Sequence, residues 1–593
     1  MYLKFMVPVP AGKGIVKQTK NGVTYVDYEY DRTYDRDAKY TRPRRSTIGK
    51  LSADDPSMMW PNQNYLKFFP NTELPETLER SKRSSCLRIG AYLVIRKLLE
   101  NAGIPEILGN YFKDADRGLF LDLMAYTIVT ENNAGQYYPD YAYNHPLFTE
   151  RMRVYSDTKV SDFLRSVTED QRNGFQNEWN RQRDHRERIY ISYDSTNKNC
   201  QAGEVDFAEY GYAKGDPSKP IINYSVAYDT DNREPLFYEE YPGSINDMSQ
   251  LRMMVAKAQG YGYRHIGFIL DRGYFDRKNF TYMDECGYSF VIMVKGMKAL
   301  VRELILEKKG SFEKKRSCYI REHDVAGVTI KRKMYETDEK ERYFHLYYSL
   351  SRENRERAEL EDRLKKMREA LKKQEGKEYQ FSRVYEDYYH LFYQEVKEKV
   401  KVLSEDEDQK EQEKEIVKQV IFLFGCEKED VVEAETELQG YFSIVTSEKM
   451  SAAEAIGLYN NRDVSEKLFR ADKTFLDNRS YRNCSSESVS AKMFIEFIAL
   501  IIRNRIYTAL QDEMKALGTK PNYMTVPAAL RELEKIEMVR LTDNIYRLDH
   551  AVTKTQKTIL KAFGMDEMFV QYRAEQLQKE LKQIAEGTMK RGA

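Results

Sequence analysis

Four polar side chains recur in the stretch YNNRDVSEKLFRADK: Tyr459, Arg462, Glu466 and Lys473, spaced three, four and seven residues apart. On a helix, at about 100° per residue, they fall within an arc of about 60°. The stripe is about 21 Å long at roughly 1.5 Å per residue. Two cations, a phenol and a carboxylate on one such face could follow several phosphates and hold a metal-binding oxygen near the middle. The same pattern also describes a solvated face with i,i+4 charge pairs, so two further stretches decide its meaning. RIYISYDSTNKN (Arg188 to Asn199) alternates Ile189, Ile191 and Tyr193 with polar partners up to Asp194, and reads as a strand finishing in a carboxylate. IGFILDRGYF (Ile266 to Phe275) is an apolar run ending at Asp271, with Arg272-Gly273 as a turn. An Asp at a strand end is most often a turn former or a helix cap. Two of them, with one Glu on a polar helix face, make the donor set of two-metal phosphoryl transfer. Carboxylate oxygens suit hard divalent ions, and Mg²⁺ takes only one or two protein carboxylates, with phosphate oxygens for the rest.

In this order, Asp194, Asp271 and Tyr459-x2-Arg462-x3-Glu466-x6-Lys473 resemble the DDE transposases of bacterial insertion sequences. The likeness is to the IS-four superfamily, in its long-chain branch with the Y-R-E-K signature. It runs from about Arg188 to Asn504 and includes GYAKGDPSKPIINYSVAYDTDNREPLFYEEYPGSINDMSQL, Gly211 to Leu251. The resemblance implies an α/β fold: an RNase H-like catalytic core with a long insertion between the second Asp and the Glu, plus a helical N-terminal domain. It implies that Asp194, Asp271 and Glu466 are the catalytic residues and ligate two Mg²⁺ (or Mn²⁺) ions. Arg462 and Lys473 are then expected to hold phosphates, and Tyr459 to pack on or bond to the DNA backbone near the scissile position. The implied reaction cuts DNA at terminal inverted repeats and joins the ends to target DNA. A homodimer on DNA is expected, because two ends must be brought together. The rivals are a transposase-derived DNA-binding protein without activity, which the intact carboxylates disfavour, and an RNase H-like nuclease, which lacks the signature helix.

The 593 residues exceed one usual domain. With 95 basic against 94 acidic side chains, a DNA enzyme must concentrate its cations locally rather than rely on net charge. Cys86, Cys200, Cys286, Cys318, Cys426 and Cys484 form no C-x-x-C pair, which argues against a zinc module and a disulfide framework and fits a reducing cytoplasm. Seven His leave few candidates for Ser-His-Asp or Cys-His chemistry. No apolar run approaches a membrane span and the N-terminus lacks a signal-peptide apolar region, so a cytoplasmic protein without membrane contact is expected.

Residues 1–84 read as a β-hairpin, Thr24 to Leu51, followed by a loop from Pro56 to Pro75. Arg42, Arg44 and Arg45 beside its tyrosines are candidate DNA contacts, against the alternative of an ordinary surface hairpin. Residues 85–187 read as a helical domain for DNA binding or dimerisation, with a capped helix after Asp157-Thr158. The core is expected in two parts, 188–296 and 440–520, with parallel strands, crossover helices and Asp247 capping the helix that follows it. The intervening 297–439 reads as a mixed β/helical insertion. There Arg352 to Gln374 and Glu386 to Gln412 are so rich in mixed-sign charge that both are expected to be exposed helices. Residues 521–593 read as a helical tail, with Val526 to Val539 as a helix and a short hairpin up to Leu548.

Overall fold

The computed structural model describes the chain apart from residues 1, 4, 36–38, 73–82, 184–187, 202–203, 246, 379–381, 404–410, 464–466, 468–472, 474–475, 477–479, 483–484, 542–544 and 586–593. At the N-terminus, β1 (Val7–Pro8), β2 (Ile15–Lys20), β3 (Val23–Asp35), β4 (Tyr40–Leu51) and β5 (Met58–Pro61) form a five-stranded sheet in the order β1-β5-β4-β3-β2. Val26, Ile48, Met59 and Tyr65 bury its inner face. The segment expected as a loop from Pro56 therefore holds a strand and the helix Gln63–Phe68. Asn62 starts that helix by accepting from the Asn64 and Tyr65 amides. β2 pairs with β3 only up to Tyr28, and β5 pairs with β4 only from Gly49. Beyond those limits β3 and β4 continue as a two-stranded ribbon. A short strand, β6 (Cys86–Arg88), follows.

The central sheet is built from β7 (Ile189–Cys200), β8 (Ile221–Asp229), β9 (Glu234–Pro242), β10 (Ile266–Leu270), β11 (Ser289–Met293), β12 (Tyr319–Ile320), β13 (Val325–Lys333) and β14 (Glu341–Tyr348). A separate hairpin, β15 (Tyr389–Leu403) and β16 (Glu411–Glu427), precedes β17 (Tyr441–Thr446) and the short β18 (Ser480–Tyr481). The sheet order is β12-β13-β14-β17-β11-β10-β7-β8-β9, with β18 on β7. β7, β8 and β9 form an antiparallel meander, and β10 and β11 add parallel to β7. The sheet is mixed rather than parallel throughout, since β17 runs antiparallel to β11. From the insertion, β13 and β14 pair with each other and then with β17, so they extend the core sheet. Phe344 and Leu346 of β14 bury against the same core as Phe268 and Phe290.

The stretch Glu386 to Gln412 is not a helix. Among its described residues only the end of Arg383–Tyr388 is helical, and the others belong to β15 and β16; residues 404–410 lie outside the described residues. Its charges masked a two-residue alternation, as in QEVKEKVKV, that belongs to a strand. The helix Leu350–Gln374 does form, and its stripe of Leu360, Leu364, Met367 and Leu371 packs on Tyr389 and Phe422 of that hairpin.

His345 of β14 is fully buried between two threonines, 2.9 Å from each hydroxyl. Thr446 donates its own hydroxyl to Glu448 O, so His345 Nε2–H donates to Thr446 and Nδ1 accepts from Thr329. Burial lowers the imidazole pKa from 6.5 to about 4. Below pH 6.5 the unfolded chain takes up a proton that the folded chain refuses, so this stability is present above pH 6.5 and is lost as pH falls towards 4. The loss should reach about 3 kcal/mol. Urea midpoints of wild type and His345→Gln measured from pH 7 to 4 should converge by that amount; parallel curves would contradict it.

The helices Gly90–Ala102, Asp114–Thr130, Asp157–Ser166 and Glu169–Arg181 pack around the helix Ser486–Leu517 and against one face of the meander, with Phe120, Phe175, Phe494, Tyr224 and Tyr238 in one core. Ser156, not Asp157, caps its helix by accepting from Lys159 N. The C-terminal helices Val526–Leu533, Lys554–Ala562 and Glu567–Ala585 share that core. The helix expected up to Val539 stops at Leu533, because β19 (Glu537–Arg540) pairs with both β20 (Tyr546–Leu548) and β6.

Candidate active site

Parallel pairing of β10 with β7 sets Leu270 opposite Tyr193, so the next residues, Asp271 and Asp194, leave that register side by side. Adjacent strands lie about 4.8 Å apart. β10 ends there, and Asp271 caps the turn Arg272–Tyr274 by accepting from Gly273 N at 3.3 Å. β7 does not end at Asp194 but continues to Cys200. Its polar run Ser195 to Asn199 is buried rather than a loop, because nearly every polar group there has an internal partner. Asn197 bonds Tyr212 O and Lys214 N, each at 2.8 Å, and Asn199 bonds Asp216 in the same two-way manner. Lys198 pairs with Glu496.

Asp194 is half-buried and accepts from Ser195 N at 2.8 Å. Burial pushes its carboxyl up to about 6; Asp271 adds to the rise, while the Ser195 amide, Lys214 and Arg462 oppose it. Lys214 Nζ donates to Ser195 O at 2.8 Å, which places its charge beside Asp194. Arg462 Nη1 donates to Asp271 Oδ1 at 2.7 Å, and its guanidinium lies 5.5 Å from the Tyr459 ring centre. Tyr459 is buried among Ile269, Val291 and Tyr347. Arg462 thus engages a carboxylate, and Tyr459 is a core residue on which it rests.

The expected continuous helix from Tyr459 to Lys473 is interrupted. The helix Ala452–Asn460 ends before Arg462, with Asn461 and Arg462 in a turn. Glu466 lies outside the described residues. Lys473 is described and half-buried. Arg42, Arg44 and Arg45 are exposed on the N-terminal ribbon, where Arg45 pairs with Glu29 at 3.2 Å and Arg42 lies over Tyr40. Sequence reasoning passed over Lys214, although it sits in the GYAKGDPSKP stretch that carries part of the family likeness. Among the described residues no three His, Cys, Asp or Glu side chains are grouped to hold a metal. Asp194 and Asp271 offer oxygen donors of the kind that suits a hard divalent cation. Among the described residues no helix is long and apolar enough to cross a membrane.

Fold and site together define a mixed α/β protein with two carboxylates at register-matched positions of parallel strands, braced by an arginine and a lysine. The chain belongs to the transposase DDE domain family, which it matches over residues 185–502, more than half of its length. Among solved structures it is similar to a piggyBac transposase synaptic complex with hairpin DNA, at 8% identity and a TM-score of 0.31, over 80% of this chain and 86% of that one. It is also similar to a Mos1 transposase paired-end complex with the left transposon end, at 11% identity and a TM-score of 0.13, over 38% of this chain and 65% of that one. No curated protein sequence matches.

Proposed function

We propose that this chain cuts DNA at the terminal inverted repeats of its own element and joins the ends to target DNA, as a member of the IS-four superfamily with the Y-R-E-K signature. The observation that carries the reading is the β7–β10 register, which brings Asp194 and Asp271 together inside the matched family segment. The strand order β9-β8-β7-β10-β11, three antiparallel and then two parallel, supports an RNase H-like core. In this reading residues 188–296 and 440–520 carry the chemistry. The 85–187 helices, the 297–439 insertion and the 521–593 tail surround it.

Asp194, Asp271 and Glu466 would hold two Mg²⁺ (or Mn²⁺) ions, which when bound lower the pKa of an attacking water and stabilise the leaving 3′ oxygen. The residues do the rest. Arg462 balances the Asp271 charge and would offer its guanidinium to a phosphate oxygen were a divalent cation held at that carboxylate. Tyr459 holds the guanidinium from below. Lys473 adds a second phosphate contact. Lys214 offsets the Asp194 charge. Cleavage and joining are both in-line displacements at phosphorus, so one site serves both. Two ends require a homodimer. A DNA-binding protein without activity has no use for the paired carboxylates.

DNA binding is tested by gel shift on duplexes carrying the repeats that flank the coding region, against scrambled duplexes. Preference for the flanking repeats is expected; equal affinity for both contradicts the reading. Arg42, Arg44 and Arg45 provide a second arm. If the ribbon follows phosphates, replacing all three with Ala weakens end binding and lowers the salt slope by roughly 0.9 for each phosphate no longer neutralised. An unchanged slope would make the ribbon an ordinary solvated surface.

A further inference from the structure

Two of the most exposed aromatic side chains in the protein stand on one short loop. Tyr212 is 89% exposed and Tyr210 69%. A lone exposed tyrosine is ordinary. These two differ because their backbone is fixed at several points while their rings are left in solvent. Glu209 pairs with Ile221 through both backbone bonds, 3.1 and 2.8 Å. Gly211, between the tyrosines, lies so close to the neighbouring chain that an added Cβ would stand 2.0 Å from Gly243 O. Tyr212 O accepts from Asn197 Nδ2, and Lys214 N donates to Asn197 Oδ1. Asn197 is the third residue after Asp194 on β7, so the loop is tied to the strand that carries the carboxylate. Lys214 closes the tie by donating to Ser195 O.

We propose that Tyr212, with Tyr210 beside it, is an aromatic platform for an unpaired nucleobase of the DNA strand held at Asp194. The proposal rests on the transposase reading for its location, and on the loop for its chemistry. A solvent-exposed ring on a fixed backbone gains by stacking on another π face, and every base offers one whatever its sequence. Rigidity removes most of the ordering cost that a mobile loop would bear on binding. The adjacent Lys214 ammonium favours a strand whose phosphate lies at the site, with its base turned to the tyrosines. An apolar protein partner is disfavoured, since Ala213 and Pro217 are the loop's only apolar side chains besides the tyrosines, against Glu209, Lys214, Asp216, Ser218 and Lys219.

The test uses the full chain and the variants Tyr212→Ala, Tyr212→Phe and Tyr210→Ala, with thermal unfolding to confirm that each is folded. One arm measures affinity for element-end duplexes in which each nucleotide near the cut is made abasic in turn. A second arm measures affinity for single-stranded oligothymidylate and its abasic counterpart, which needs no knowledge of the element. Wild type and Tyr212→Phe should lose roughly tenfold when the critical base is removed. Tyr212→Ala should lose the same amount on the intact strand and then be indifferent to the abasic change, with Tyr210→Ala in between. If Tyr212→Ala binds intact strands like wild type in both arms, or keeps its abasic sensitivity, the platform is wrong. If the platform signal holds on oligothymidylate while wild type ignores its element ends, the transposase reading fails and the platform stands.

Discussion

Asp194→Ala and Asp271→Ala should each remove cleavage of element ends while leaving end binding within a few-fold of wild type. Loss of groups that merely support a metal ligand costs 10–100-fold, so loss of a ligand itself should exceed roughly a hundredfold. Asp194→Asn is the sharper variant. It keeps the side-chain shape and one oxygen able to accept from Ser195 N, but removes the charge that a cation needs. Asp271→Asn likewise keeps an acceptor for the Gly273 amide and for Arg462. A structural role for either residue predicts near-normal cleavage by the Asn variants. A ligand role predicts inactivity with an unchanged melting temperature. Glu466→Gln should behave in the same way, with binding held or tightened by the loss of a negative charge near the phosphates. Cleavage near the wild-type rate by any of these variants removes that residue from the site.

The second large effect is on stability, four residues along the same strand. Lys198 and Glu496 form an ion pair at 3.3 Å with both side chains almost wholly buried. Tyr481 donates to Glu496 at 2.6 Å, Lys198 Nζ donates to Tyr481 at 3.1 Å, and the Lys198 ammonium lies 4.4 Å from the Tyr224 ring centre. The cluster joins β7, β18 and the helix Ser486–Leu517. Removing one charge strands the other in an apolar interior, which costs about 3–5 kcal/mol. Glu496→Leu and Lys198→Met should therefore each lower the urea midpoint severely. The double variant should recover most of the loss, because an apolar pair of similar volume has no charge to desolvate. Additive losses in the double variant would show that the two side chains are not coupled.

These residues also mark where the sequence stops being readable. Asp271 is legible because an apolar run breaks at it and a turn follows. Asp194 is legible as a carboxylate on a strand, but the strand end assigned there is not real. Ser195 to Asn199 have the composition of a surface loop, and the partners that allow their burial, such as Glu496 and Tyr481, lie some three hundred residues on. The pairing of β19 with β6 spans a still longer stretch of chain, and no local pattern announces it. β15 and β16 show the opposite failure: local charge content suggested a helix, and only pairing reveals the strands. The Tyr459–Arg462 spacing fits one helix face, yet the chain turns at Asn461 and Arg462. There Arg462 reaches Asp271 instead of continuing the stripe. The family likeness was legible because it needs residue order and spacing, not tertiary partners.

If Asp194 on β7 and Asp271 just past β10 hold a divalent ion, DNA cleavage depends on both the ion and the carboxylates. The most direct measurement incubates the purified protein with labelled duplexes carrying its own element ends, in Mg²⁺ or in EDTA, and sizes both strands on a denaturing gel. The account predicts a new strand ending in a 3′-OH at the element boundary in Mg²⁺, absent in EDTA and absent with Asp194→Asn. The same product in EDTA, or undiminished with Asp194→Asn, would contradict it.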